Sequence, residues 1–406
     1  MATGHALALA LAQAGERRRA VLEHARLARA GHGPSRAALD AWAPRPHAAA
    51  LVARRPALLG PARLRMLELP GSVLAGRPVA SDEGLLLPTR TRLVSLSPGD
   101  LAERWSAPGQ AWPVALRGDD ALHAGGPGLL LRDGGSGEVL AEIALAGRVV
   151  ELSTWGDRAL VVHDAPGLRR VTALDVGARP GRVLWSREWP PGGLEVARLV
   201  RLRVALISTD RAEVVDLESG RTIAALTLVP RRPRGGRWER ARVADARGVV
   251  IEEVTPDLAS GPAVCALAEH DLGRLEPRWR LERVADTLDL SLGDAVLVLR
   301  RADASGVTTE VVDRATGQAR PAESLPHLNL VWAEGAAYLL DVSDRGGALG
   351  VHDSTTLACR ARHALAVGAD LTDADVVSFT GAVVVTLGHR DRTVLVRLEA
   401  GADAGA

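Results

Sequence analysis

Three His-Asp pairs, His163-Asp164, His270-Asp271 and His352-Asp353, are the residues of this chain best suited to chemistry. Imidazole and carboxylate ligate transition metals, and an imidazole beside an acid can move a proton. A metal reading needs several pairs to converge in space. In the last two, turn chemistry already accounts for the Asp. Glu252-Glu253 is a second candidate, as an acid and base couple. Adjacent residues of a strand point to opposite faces, so the two would not act on one substrate, and solvated charge is the plainer reading. The third candidate is the run Arg231-Arg232-Pro233-Arg234-Gly235-Gly236-Arg237-Trp238-Glu239-Arg240. Guanidinium forks suit carboxylates and phosphates, and indole stacks. Arg231, Arg232, Arg234, Arg237 and Trp238 are therefore the candidate partner-binding residues. The alternative is a solvated connector whose Trp238 packs back on the domain. Cys265 and Cys359 are too few and too distant for a disulfide framework and read as buried thiols in strands. There is no Gly-x-Ser-x-Gly, phosphate loop or His-Glu-x-x-His. No catalytic, cofactor-binding or metal-binding residue is assigned.

The elements that must position these groups are set by a recurring turn. A short β-like run ends in an acidic or polar residue, and in most copies Gly comes two to four positions later. The clearest copies are Glu213-Val214-Val215-Asp216-Leu217-Glu218-Ser219-Gly220, Leu131-Arg132-Asp133-Gly134-Gly135-Ser136-Gly137 and Val311-Val312-Asp313-Arg314-Ala315-Thr316-Gly317. Weaker copies centre on Ser97, Asp175, Asp271, Asp353 and Arg397. The successive steps are 36, 42, 41, 55, 42, 40 and 44 residues. A period of that size means repeated supersecondary units. Within one unit, Val196 to Val200, Val204 to Ser208, Ala212 to Asp216 and Thr222 to Leu226 read as four short antiparallel strands. Four strands per ~40–45 residues is the pattern of a propeller blade. The turn motif falls between the third and fourth strands: Asp accepts backbone N–H groups, and Gly supplies a positive φ without steric cost.

The reading is an all-β, eight-bladed β-propeller, with seven blades as the alternative count. The eighth unit lacks a fourth strand, and residues 63–69 (Arg63-Leu64-Arg65-Met66-Leu67-Glu68-Leu69) are proposed to complete it, since a ring must hide its edges. The domains are then an N-terminal helical arm at 1–47 and a propeller at 63–406. In the arm, Leu7, Leu11, Ala14, Val21, Ala25 and Leu27 recur at helical spacing, and Pro44 and Pro46 stop the second helix.

Composition narrows the function only by exclusion. Among 406 residues, acidic and basic groups nearly cancel at +1, which gives no global case for nucleic acid or an anionic membrane. Every basic residue except His is Arg, which reads as the codon bias of a GC-rich genome. No apolar run reaches the ~18 residues of a membrane span, and the charges after His5 to Ala14 stand in the wrong order for a signal peptide. A cytoplasmic location is expected.

The units resemble the repeats of the PQQ-like propeller superfamily, which also includes bacterial outer-membrane assembly lipoproteins. The resemblance rests on Arg170-Val171-Thr172-Ala173-Leu174-Asp175 followed by Trp185, on Asp313-Arg314-Ala315-Thr316-Gly317, and on Leu96 to Trp105. It covers about residues 70 to 400. It implies that Trp105, Trp185 and Trp279 dock between neighbouring blades. It also implies two family activities that this chain does not match. Quinone dehydrogenases carry an adjacent Cys pair with Glu and Asn calcium ligands, whereas here no Cys are adjacent and Asn329 is the sole Asn. No cofactor is expected. The lipoproteins carry an acylated Cys near the start, absent here. The leading reading is a non-enzymatic scaffold with protein partners, similar to the propeller member of bacterial systems that pair a MoxR-type ATPase with a von Willebrand A protein. The alternative is an enzyme or ligand-binding propeller with a central-channel site. Polar residues on the first strands of several blades would favour it, and the apolar run Val196 to Val200 speaks against it.

Overall fold

A computed structural model describes residues 62–400 apart from short stretches, the longest of which are 231–236, 256–262 and 366–370. The proposed helical arm lies outside the described residues. Those residues form eight four-stranded antiparallel sheets, and seven of them keep chain order. Blade 1 spans 79–108, blade 2 spans 114–144, blade 3 spans 148–189, blade 4 spans 194–227, blade 5 spans 238–285, blade 6 spans 287–321 and blade 7 spans 330–365. Blade 8 has three strands in chain order, Leu371–Phe379, Ala382–His389 and Arg392–Ala400. Its fourth is the strand Ala62–Pro70, in continuous register from Ala62 opposite Ala400 to Pro70 opposite Arg392.

These strands form because β-branched and aliphatic residues crowd the middle strands. Ala382–His389 is buried at every position, and Leu85–Pro88 likewise. Such runs suit strands covered on both faces. The fourth strands instead alternate between exposed and partly buried positions, as in Thr222–Thr227 and Cys359–Leu365. They close one side of a blade and meet water on the other.

The chain divides into two compact units. Of the described residues, one contains those in 75–165 and 171–186, and the other those in 62–74, 166–170 and 187–400. In the first, blades 1 and 2 share a core around Leu86, Leu93, Trp105, Val114 and Ala121, and blades 2 and 3 another around Leu122, Leu131, Val161 and Leu174. In the second, cores join blades 4 and 5, 5 and 6, 6 and 7, and 7 and 8 in succession. Within each unit the inner sheets, those of blades 2, 5, 6 and 7, are thus each a wall of two cores, which gives stacked blades their neighbour-by-neighbour stability.

The recurring turn has one geometry in six blades. The backbone N–H four residues after the anchor donates to the anchor's carbonyl, at Leu101, Gly137, Gly220, Leu275, Gly317 and Leu357. The anchor's own N–H donates to the carbonyl one residue further on, for example Asp216 to Arg221 and Asp313 to Gln318, both at 2.9 Å. The anchor carboxylate caps the turn: Asp313 Oδ1 accepts from the N–H groups of Ala315 and Thr316, each at 2.9 Å. The fourth position has a left-handed backbone, with φ of 75°, 66° and 74° at Gly137, Gly220 and Gly317. In three blades Leu occupies it, at φ of 61°, 56° and 60° for Leu101, Leu275 and Leu357. A side chain there costs about 1–2 kcal/mol. Each of these leucines is buried, and burial contributes roughly 1.5–3 kcal/mol, enough to offset the strain.

Arg397 differs from the sequence expectation. It lies within the strand Arg392–Ala400, opposite Arg65, and no turn forms there. The fourth strand of blade 8 comes from the other end of the chain, so no hairpin is needed.

Trp105 and Trp279 dock one blade on the next. Trp105 Nε1 donates to the Gly134 carbonyl at 3.0 Å, and Trp279 Nε1 to the Arg314 carbonyl at 3.0 Å. Both acceptors stand one residue after the turn Asp of the neighbouring blade. Each indole lies over that blade's left-handed glycine: a Cβ at Gly317 would sit 2.6 Å from Trp279 Cβ. Gly317→Ala should therefore cost more than Gly192→Ala, whose φ of 74° is the same but whose Cβ would meet nothing within 4 Å. The strain is about 1–2 kcal/mol at both sites, and displacing Trp279 adds roughly 1–3 kcal/mol at Gly317 alone. Equal urea midpoints for the two variants would contradict this account of the docking.

Candidate interaction site at the start of blade 5

Of the arginine-rich run, residues 231–236, including Arg231, Arg232 and Arg234, lie outside the described residues. The structure places the other two nominated residues at the head of blade 5. Arg237 is exposed and bound to two carboxylates, Glu239 Oε1 at 2.9 Å and Glu253 Oε1 at 3.0 Å. Arg280 reaches the other oxygen of Glu253 at 2.9 Å. Trp238 opens the first strand, Trp238–Ala244, and packs against the core between blades 5 and 6. The Arg240 guanidinium lies 5.1 Å from the centre of its ring.

Glu252 does not match the expected solvated charge. It is 2% exposed, with Arg240 Nε 2.6 Å from Oε2 and Arg242 Nε 3.6 Å away. The strand register explains this. Glu252 pairs with Arg240 and Leu267 and so faces the core between blades 5 and 6, where two arginines accompany it. Glu253 points the other way, to Arg237 and Arg280. The two acids thus serve separate ion pairs on opposite faces. Burial, then the nearby Glu252 carboxylate, pushes the Cys265 thiol above its ordinary pKa, which makes it inert at neutral pH. Cys359 is exposed, contrary to the expectation of a buried thiol, because it opens the outward-facing fourth strand of blade 7.

The three His-Asp pairs are held in separate blades by backbone bonds. His163 Nδ1 lies 2.7 Å from the Ala146 carbonyl, and Nε2 lies 2.9 Å from Thr172 Oγ1. His270 and His352 present Nδ1 to the carbonyls of Leu275 and Leu357, at 2.9 and 2.8 Å. Those carbonyls belong to the strained leucines, so each imidazole braces the left-handed turn beside it. Arg132 does the same for Gly137 at 2.8 Å. Among the described residues no group of three or more His, Cys, Asp or Glu side chains is placed to hold a metal ion. No helix among them is long and apolar enough to cross a membrane.

A buried ion cluster with no signature in the repeat joins blades 5 and 6. Arg314 is 0% exposed. Its guanidinium donates to Asp245 Oδ1 at 2.8 Å, to Glu269 Oε1 at 2.7 Å and Oε2 at 3.1 Å, and to the Gly293 carbonyl at 2.8 Å. Burial works against its charge, but the bonds from Asp245 and Glu269 prevail and raise its pKa above the ordinary value. The available signal was positional. The residue after the turn Asp is apolar and buried in blades 3, 4 and 5 (Val176, Leu217, Leu272), and Arg314 replaces it in blade 6.

The capping carboxylates and one histidine give the fold a pH dependence. Burial lowers the pKa of His123 below 6.5, and Arg132, whose Nε donates to His123 Nε2 at 3.1 Å, disfavours the proton further. The unfolded chain then takes up this proton first, so stability falls as pH drops below about 6.5. The Asp353 carboxyl works lower. Burial opposes its charge, but the N–H groups of Thr356 and Thr355 hold its pKa down to about 2. Its contribution is full above the unfolded pKa, about 4, and is lost as pH falls toward the folded value. The urea midpoint should therefore decline in two windows on acidification. His123→Gln should remove most of the upper one and leave the lower intact. A midpoint flat between pH 7.5 and 5 in the unsubstituted chain would exclude the His123 contribution.

No protein-family model matches this chain, and no curated protein does. Solved structures do resemble it. BamB from Moraxella catarrhalis superposes with a TM-score of 0.54 at 13% identity, over 84% of this chain and 100% of that one. Sqt1 from Saccharomyces cerevisiae gives 0.50 at 8% identity, over 81% and 97%. At such identities the likeness is one of fold. With the eight four-stranded sheets, it defines the chain as an all-β, eight-bladed β-propeller.

Proposed function

We propose that the chain is a non-enzymatic propeller of PQQ-like repeat type that serves as a scaffold for protein partners. The observation that carries this reading is where its polar chemistry goes. The histidines and carboxylates best suited to catalysis brace turns and join blades: His163, His270 and His352 through backbone carbonyls, Glu252 and Glu269 through buried ion pairs. Such bonds make the sheets and their connecting turns rigid, and rigid sheets presenting varied loops suit partner binding. The arginine-rich approach to blade 5, residues 231–238, is the proposed contact region. The finer reading takes a MoxR-type ATPase or a von Willebrand A protein as partner.

The test is reconstitution from purified components. The chain, tagged at its natural expression level, is recovered with its companions, and each companion is purified and its dissociation constant measured. Arg231, Arg232, Arg234 and Arg237 replaced together by Glu should weaken that constant at least tenfold, about 1.4 kcal/mol. An unaltered constant would remove the arginine-rich run from the interface. The rival reading draws on the first strands of blades 5 and 6, which carry Arg240, Arg242 and Asp289 instead of an apolar row. A small molecule that raises the melting temperature, with the effect abolished by Arg242→Ala, would favour that reading over the scaffold.

A further inference from the structure

Blade 6 is built differently from its neighbours at its outer side. The fourth strands of the other blades run six to nine residues. In blade 6 the fourth strand, Ala319–Pro321, has three residues and pairs only with Glu310, Val311 and Val312. One further bond, Ala322 N–H to the Thr309 carbonyl at 3.0 Å, ends the cover. Leu325, three residues further on, is buried in the core between blades 6 and 7. The third strand, Gly306–Asp313, continues to Gly306, and no described strand covers Gly306, Val307 and Thr308 on the outer side. In blades 2 and 5 the fourth strand accompanies the third to its hairpin end: Gly128 lies opposite Ala144, and Ala263 opposite Ala285.

The side chains beside this gap are polar and incompletely bonded. Val311 faces the core between blades 6 and 7, and by strand alternation Thr309 and Val307 share its face. Thr309 is 4% exposed, and its hydroxyl has no hydrogen-bond partner. Arg300 pairs in register with Thr309 on the same face, and its Nε is buried without a partner. Asp289 lies opposite Arg300 in the register but does not satisfy that Nε. Arg320, across from Val311, donates to the Thr355 carbonyl. Val307 is 43% exposed. A buried donor left unmade is costly, and an open edge with outward N–H and C=O groups is a template for another strand.

We propose that the open edge at Gly306–Thr308 is a docking site for an extended, acidic segment of a partner protein. The segment adds as a strand beside Val307 and directs a carboxylate across Thr309 toward Arg300. Main-chain bonds give the affinity, and the Arg300, Thr309 and Arg320 side chains select the charge. This rests on the scaffold reading above but uses a different surface from residues 231–238.

The test uses the full chain and a labelled strand-forming peptide of alternating Val and Glu, with a Val and Lys peptide as comparison. Hydrogen exchange should show the Val307 amide open in the free protein and protected at least about tenfold by the acidic peptide, the change that one charge-assisted bond supports. Arg300→Glu should abolish binding of the acidic peptide, and Val307→Pro should do so without touching the charge. The gentler Thr309→Val, which removes only the hydroxyl, should weaken binding and serves if either variant folds poorly. Three results would overturn the proposal. These are a Val307 amide already protected in the free chain, which means that its own residues fill the edge; equal binding of the Lys peptide; and no protection at millimolar acidic peptide. If a reconstituted partner binds normally to Arg300→Glu and Val307→Pro, the scaffold reading stands and this site falls.

Discussion

Arg314→Leu should destabilise the chain by about 3–5 kcal/mol, the range for removing one partner of a buried ion pair. The reason lies in the carboxylates left behind. Glu269 is 0% exposed and would be left in the core between blades 5 and 6 without its closest cation, the peripheral Arg278 standing 3.9 Å away. Asp245 would lose both bonds from the guanidinium. The cost should fall mainly on blades 5 and 6, because Arg314 also sets the carbonyl that receives Trp279. Removing the whole cluster is a different experiment. Arg314→Leu with Glu269→Leu and Asp245→Asn leaves no uncompensated buried charge, and should recover most of the loss. The pH dependence gives an independent check. Burial opposes the charge of Asp245, but the Arg314 bonds hold its pKa below the ordinary carboxylate value. The native pair therefore contributes above the unfolded pKa, and that contribution fades as pH falls through the folded one. Arg314→Leu should lose stability most at neutral pH and least in acid. Urea titrations at several pH values measure this. A single variant as stable as the parent would show that the ion cluster is incidental to blade contact.

Deleting residues 62–70 should lower stability by several kcal/mol, on the order of 3–6, given net contributions near 1 kcal/mol per hydrogen bond and an offset from chain entropy. The segment forms nine register pairs with Arg392–Ala400. It also anchors the two residues after it: Gly71 N–H donates to the Asp391 carbonyl at 2.9 Å, and Thr393 Oγ1 donates to the Ser72 carbonyl at 2.6 Å. Without it, Arg392–Ala400 becomes an edge strand whose buried Leu395 and Leu398 lose one covering side. Exchange protection should collapse across blade 8 before it changes in blades 4 to 6. A synthetic peptide of residues 62–70, added in trans, should restore much of the melt, because the strand is supplied by pairing and not by a hairpin. An unchanged melting temperature on deletion, or no effect of the peptide, would mean that blade 8 stands on three strands.

Most of the frame was legible because it depends on local chemistry. The Asp turn needs a capping carboxylate and a residue that tolerates positive φ. Asp133, Asp216 and Asp313, each with Gly four residues on, announce both, and the middle strands announce themselves by aliphatic runs. The docking of Trp105 and Trp279 was implied by the resemblance of the repeat to a known superfamily, and the bonds of both indoles to the next blade bear it out; for Trp185 the same docking stays an expectation. Leu101, Leu275 and Leu357 were harder to read. Nothing in a leucine signals a left-handed backbone, which is held here by burial and, for two of them, by the histidine before the turn. His270 and His352 thus have a structural task that their sequence suggested only through the Asp beside them.

Residue order and type were enough for the repeat, its period, the turn chemistry and the all-β class, because each arises from contacts within a few tens of residues. Three matters awaited the folded chain. Glu252 acquires its burial and its arginines only when strand register turns it inward. Arg314 meets Asp245 and Glu269 across 69 and 45 residues, a proximity that no local pattern encodes. The fourth strand of blade 6 stops after three residues and pairs only with Glu310, Val311 and Val312, so Val307 stays exposed. In the first case strand register within blade 5 brings the partners together, and for Arg314 the packing of blade 6 on blade 5 does; both are properties of the assembled sheets.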